Sequence, residues 1–165
     1  MPEKSRVFKQ TLVQKGIFNF KDLYDLCRDW LSQEGYDVYE TKYKEKITAG
    51  GKEVQIEWTA KKKVSDYFRN IIGMQWLILG MNETEAEIEG KKVKTDKGEL
   101  KIVFTADLEK DYEQKWEDQP AWKFLRGVYD KYVIRTTAEE YEDRLAEKVA
   151  EFVAEVKAFL SLKGV

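Results

Sequence analysis

Tyr141, Leu145, Val149, Phe152, Val156 and Phe159 recur at spacings of three and four near the end of the chain. That spacing places them in one stripe of a helix. Glu140, Asp143, Glu147, Lys148, Glu151 and Glu155 fall on the other faces, as expected of a helix with one side in water. The pattern predicts a helix over residues 137–162. Thr137 followed three residues later by Glu140 has the form of a capping box, and Gly164 stands where such a helix stops. A helix of this length cannot bury its stripe against itself. It needs a broad apolar surface beneath it, and the candidate upstream is a set of segments with alternating polarity.

The chain of 165 residues suits one domain spanning residues 1–165, with enough apolar material for a core without disulfides or metals. Its 29 basic and 31 acidic side chains nearly cancel, so no global charge draws it to nucleic acid or to an anionic membrane. Cys27 has no partner for a disulfide, which suits a reducing compartment. Histidine is missing, which removes the Ser-His-Asp triad, the Cys-His pair and histidine-held zinc. Residues 1–10 lack the apolar core of a signal peptide. The most apolar run, residues 71–81, is far short of the roughly 20 residues that span a bilayer. A cytoplasmic setting without a transmembrane segment is expected.

In chain order, residues 6–14 read as a strand with Phe8 and Leu12 on one face and Val7 and Val13 on the other. Asn19 is a favourable N-cap, with Phe18 and Leu23 placed for a hydrophobic staple. Leu23, Leu26, Cys27, Trp30 and Leu31 form the stripe of a first helix that Gly35 ends. From residue 36 to 112 the period becomes two. Tyr39, Tyr43 and Ile47 are expected on one face of a strand and Lys42, Lys44 and Lys46 on the other; residues 49–51 then make a hairpin turn. Val54, Ile56, Trp58 and Ala60 alternate with polar residues, the mark of an antiparallel sheet with one wet face. Residues 67–81 read as a further strand, or a bent pair of strands, apolar on both faces. A short acidic strand follows over residues 83–89. Turns are expected at residues 90–92 and 96–98, and a last strand carries Leu100, Ile102, Phe104, Ala106 and Leu108 inward. Asp118 and Pro120 read as the start of another helix, to about residue 133, with Trp122, Leu125, Val128, Tyr129 and Tyr132 on one face.

This order of strand, helix, antiparallel strands and two helices resembles the helix-grip architecture of START-like (SRPBCC) domains, in which a curved sheet wraps a long C-terminal helix. The resemblance implies an apolar cavity between sheet and helix that holds lipids or other hydrophobic molecules, in most members without catalysis. The helix carrying Trp122 departs from the simple pattern and would cap the cavity mouth. The phrases GYDVYETKYKEK (35–46), VQIEW (54–58), WLILGM (76–81) and KFLRGVYDKYVI (123–134) are similar to an uncharacterised family of small archaeal proteins. That likeness implies an intracellular setting and carries no activity.

Three constellations invite a chemical reading. Glu83, Glu85, Glu87 and Glu89 present a row of carboxylates, but alternate strand positions hold them apart and solvated. A wet face paired with lysines such as Lys92, Lys94 or Lys101 is the stronger reading over a cation site. Lys42, Lys44, Lys46 and Lys61 to Lys63 form a basic patch that Glu40, Glu45, Glu53 and Glu57 interrupt, so no nucleic-acid partner is expected. The five tryptophans suit either a packed core or the wall of an apolar pocket, because both need the same residues inward. No acidic pair sits in an apolar context that would tune it for catalysis.

The sequence therefore predicts an α+β fold, helix-grip-like: a curved antiparallel sheet against a long C-terminal helix, with one N-terminal helix and one extra helix before the last. The expected role is non-enzymatic binding of a hydrophobic small molecule or lipid between sheet and C-terminal helix, with neither cofactor nor metal. Trp58, Trp76, Phe104, Trp122, Tyr141, Leu145, Val149 and Phe152 are the expected lining. The alternative is an interaction module that forms a homo-oligomer or a complex subunit through the apolar strand 71–81, with Leu77 and Leu79 as its contact face.

Overall fold

A computed structural model describes residues 3–110 and 135–163. Five strands form one antiparallel sheet: β1 (Glu3–Phe18), β2 (Asp37–Thr48), β3 (Gly51–Lys63), β4 (Phe68–Ile88) and β5 (Lys91–Lys110). Their order is β1-β5-β4-β3-β2, so the sheet is open, with β1 and β2 at its edges. Helix α1 (Phe20–Gln33) carries the chain from one edge strand to the other, and α2 (Arg135–Lys163) follows the sheet. The α+β class with an antiparallel sheet and a long C-terminal helix is thus present. The expected helix carrying Trp122 lies outside the described residues.

Cross-strand register decides which side chains share a face. Leu12, Ile102, Trp76, Ile56 and Tyr43 lie in one row across all five strands. The first four are buried; Tyr43 on the edge strand is 46% exposed. Val54, Ile56, Trp58 and Ala60 of β3 face inward as the alternation predicts, alongside Ile72, Met74, Trp76 and Ile78 of β4 and Leu100 to Leu108 of β5 at every second position. On the opposite face, Lys42 stands against Glu57, Lys46 against Glu53 and Asp37 against Lys61, so three lysines of the basic patch face an acid, while Lys44 faces Gln55. Glu85 and Glu87 stand opposite Lys94 and Lys92.

Several expectations give way to the sheet. β4 runs from Phe68 to Ile88 as one long strand with a bulge between Leu79 and Asn82, instead of as separate strands over residues 67–81 and 83–89. Residues 96–98 do not turn the chain. They run inside β5, paired to β1 on one side and to β4 on the other. Gly98 belongs there because a Cβ at that position would come within 2.9 Å of the Leu79 carbonyl oxygen. β1 extends past both predicted ends, and a bulge between Arg6 and Phe8 lets Val7 pack against the core instead of facing away from it. A bulge between Glu40 and Lys42 separates Tyr39 from Tyr43: Tyr39 faces outward opposite Thr59, Tyr43 inward opposite Ile56. The same bulge turns Glu40 inward opposite Trp58. β4 is not covered on both faces along residues 71–81: Leu77 is half-buried and Leu79 is 40% exposed.

Both described helices lie on the inner face. The Asn19 side chain accepts from the Asp22 amide at 3.0 Å, and Asp96 of β5 accepts from the Phe20 amide at 3.1 Å, so two donors at the start of α1 are satisfied. Leu23, Cys27, Trp30 and Leu31 are buried, while Leu26, expected in the same stripe, is half-exposed. α1 ends in a Schellman motif. Gly35 adopts φ 88°, and the Tyr36 amide donates to the Leu31 carbonyl at 2.9 Å. α2 packs against β1, β5 and α1. It buries Leu145, Val149, Phe152 and Val156 of the predicted stripe, with Tyr141 and Phe159 partly covered at its flanks. Thr137 does not cap it, because the helix is already running at Arg135. Phe152 stacks on Trp30 with centroids 4.3 Å apart and meets Phe104 edge-on at 5.5 Å, which fastens α2 to α1 and to β5.

Candidate functional site

The space between sheet and helices is filled at its centre and open at one end. There a cavity of about 570 Å³ lies between the end of α1, the β3–β4 connection and the first half of α2. Its shape follows from three local structures. The Schellman turn at Gly35 brings Tyr36 back over the sheet, where it is buried. The β3–β4 connection is tied twice: Val64 and Ser65 amides both donate to the Phe68 carbonyl, and Ser65 Oγ accepts from the Phe68 amide at 2.9 Å. Helical spacing then presents Tyr141, Leu145 and Lys148 of α2 to the cavity, with Phe68 holding the Tyr141 ring at 5.0 Å.

Chemically the cavity is mixed. Trp30, Val64, Tyr141 and Leu145 supply apolar walls. Lys62 and Asn70 are direct cross-strand partners on β3 and β4, so their side chains stand side by side on the inner face. Tyr36 joins them. The Asn70 amide nitrogen donates to the Tyr36 hydroxyl at 3.3 Å, and the Lys62 ammonium sits 5.6 Å from the centre of the Tyr36 ring. Burial pushes the Tyr36 phenol up to about 12, aided by nearby Glu34 against the opposing hydrogen bond from Asn70, so the hydroxyl keeps its proton at neutral pH. The Asn70 carbonyl oxygen is buried and has no hydrogen-bond partner. An unpaired buried acceptor costs about 1–3 kcal/mol, which makes it a position where a ligand donor would be rewarded.

Of the expected lining residues, Tyr141 and Leu145 border this cavity. Trp58, Trp76, Phe104, Val149 and Phe152 lie in the packed core. Trp122 is outside the described residues. Trp58 is held there by a polar anchor as well: its indole N–H donates to Glu40 at 2.9 Å, and Glu40 also accepts from the Tyr24 hydroxyl. Trp76 packs into the same cluster, 5.4 Å from the Trp58 ring.

The sequence reading missed Tyr36, Asn70 and Arg144, took Lys62 only as part of a basic patch and took Trp30 only as core. A signal for two of them is present. Continuing the inward parity of Trp58 and Ala60 lands on Lys62, and running back from Met74 and Ile72 lands on Asn70. Polar residues at inward positions of otherwise apolar strands mark either a strand end or a site.

Cys27 is fully buried in the core, and burial raises its thiol far above the ordinary range, so it has no thiolate to offer. Among the described residues no group of three or more acidic or cysteine side chains gathers in a way that would hold a metal ion. No described helix is long and apolar enough to cross a membrane. Compared with protein families, with curated proteins and with solved structures, the chain matches none.

Proposed function

We propose that the chain binds a small hydrophobic or amphipathic molecule, without catalysing a reaction, in the cavity between the end of α1, the β3–β4 connection and α2. The observation that carries this reading is a cavity of about 570 Å³ that combines apolar walls with a buried, unpaired acceptor on Asn70. Its volume lies in the range of small-molecule sites, and few convergent polar groups on an apolar lining is their usual make-up. A helix-grip-like scaffold agrees with α2 lying across an open antiparallel sheet. The ligand then occupies the end of the helix–sheet layer, against Trp30, whose ring is backed by Phe152 in the core.

Native mass spectrometry of gently purified protein tests this. A retained molecule that leaves on denaturation, and whose retention falls in Tyr141→Arg, is the expected result. Protein of the bare chain mass, together with no binding by any apolar or amphipathic probe, would overturn it.

A second reading has one observation in its favour. Leu79 is 40% and Val13 is 62% exposed on the outer face of the sheet, with half-buried Leu77 next to Leu79 on β4 and Lys101 of β5 between Leu77 and Val13. Exposed apolar side chains on one face are what a homo-oligomer or complex interface through strand 71–81 would use.

A further inference from the structure

We infer that the cavity selects a flat aromatic acid that also carries an N–H or O–H donor. This rests on the binding role proposed above and names its ligand class. Asn70 Oδ1 accepts nothing while the amide nitrogen is committed to the Tyr36 hydroxyl, so in this arrangement it is left to accept from a donor that a ligand brings in. Its neighbour Tyr36 keeps a hydroxyl proton to donate, since the bond from Asn70 uses only an oxygen lone pair. The charge adjacent to this pair is Lys62, half-buried and in contact with the Tyr36 ring; it forms no ion pair among the described residues. Arg144, one turn beyond Tyr141 on α2, likewise has no ion-pair partner among the described residues, whereas Lys148 is already matched to Glu151 at 3.5 Å.

Acidic groups border the cavity too, and they decide the sign less than Lys62 does. Glu147 and Glu151 stand on the exposed side of α2, where water screens them, and Glu151 is paired. Glu34 lies at the end of α1 near Tyr36. The cation set directly beside the unpaired acceptor is Lys62, held there by the β3–β4 register. A carboxylate beside Lys62 is thus matched in charge, with Arg144 at the exposed rim and with Trp30 and Tyr141 among the walls that a flat ring would meet.

Three probes separate these features: indole-3-carboxylate has ring, donor and charge; 1-methylindole-3-carboxylate lacks the donor; indole lacks the charge. Isothermal titration, with amide chemical shifts to locate the site, should show indole-3-carboxylate in the cavity and at least tenfold weaker binding of each other probe. Asn70→Ala should erase the difference between the two acids, and Lys62→Met the difference between indole-3-carboxylate and indole. Lys62 is a partly exposed residue near a strand end, so its variant keeps the fold even where Asn70→Ala does not. Equal affinity of all three probes at the cavity would overturn the ligand class and leave the binding role standing. Failure of indole-3-carboxylate to bind at millimolar concentration, or binding elsewhere, would also overturn it, and a molecule found by native mass spectrometry would still uphold the binding role.

Discussion

Phe152→Ala is the sharpest test of how α2 is held. The ring is fully buried, with Trp30 stacked on one face at 4.3 Å and Phe104 against it edge-on at 5.5 Å. Truncation removes the transfer free energy of the ring and leaves a cavity that three separate elements border. These elements are tied independently by the sheet ladder and the α1 caps, so they collapse into the gap poorly. Both terms point to the upper part of the usual range for aromatic truncation, about 4 kcal/mol. With a urea dependence of about 2 kcal/mol per molar, the midpoint falls by about 2 M at unchanged slope. Glu151→Ala on the same helix is the control. Its side chain is 57% exposed and its partner Lys148 53%, so the pair is solvent-screened and the change stays within about 0.5 kcal/mol. Near-ultraviolet circular dichroism should also change in Phe152→Ala, because Trp30 loses the ring it stacks on. Losses below about 1 kcal/mol for both variants, with an unaltered aromatic signal, would refute the packing of α2 on this sheet.

Other outcomes follow from exposure and charge. Leu77→Lys combined with Leu79→Lys should stay folded, since Leu79 is 40% exposed and Leu77 half-buried. Light scattering then decides the oligomer reading: a drop to monomer mass supports it, and an unchanged mass rejects it. Cys27 should react with thiol reagents slowly in native protein and quickly after unfolding, because it is fully buried and its thiol is pushed up by burial. Fast native labelling would contradict that placement. The folded state holds the Tyr36 proton up to about 12, while an unfolded tyrosine releases it near 10. Unfolding is therefore favoured as pH rises from about 10 to 12, and below that window Tyr36 contributes no pH dependence. Tyr36→Phe should flatten the decline over that interval in denaturant melts; an identical slope would show that Tyr36 is not buried as described.

Much of the architecture is already written in local pattern. The stripe from Tyr141 to Phe159 defines a helix because 3.6-residue periodicity has one geometric solution. Asn19 and Gly35 bracket α1 because an Asx side chain and a left-handed residue satisfy backbone groups that a helix end leaves open. The inward set of β3 reads directly from alternation. These features depend on neighbours within a few residues, and the chain carries that information in order.

What tertiary structure decided are matters of register and of partners distant in sequence. Residues 96–98 look like a turn in isolation; pairing with β1 and β4 on both sides holds them extended, and Gly98 serves close backbone approach instead. The bulge before Lys42 inverts the parity of everything ahead of it, which separates Tyr39 from Tyr43 and delivers Glu40 to the Trp58 indole. No local preference marks that slip, since only the match to β3 reveals it. The same holds for the cavity. Tyr36 comes from the turn after α1, Lys62 and Asn70 from two neighbouring strands, and Tyr141 and Arg144 lie more than seventy residues beyond Asn70. Sequence composition distinguishes tryptophans from water-loving residues, but it does not tell a filled core from a cavity wall. That difference is the volume left over when the helices close on the sheet, and it exists only once the side chains are packed.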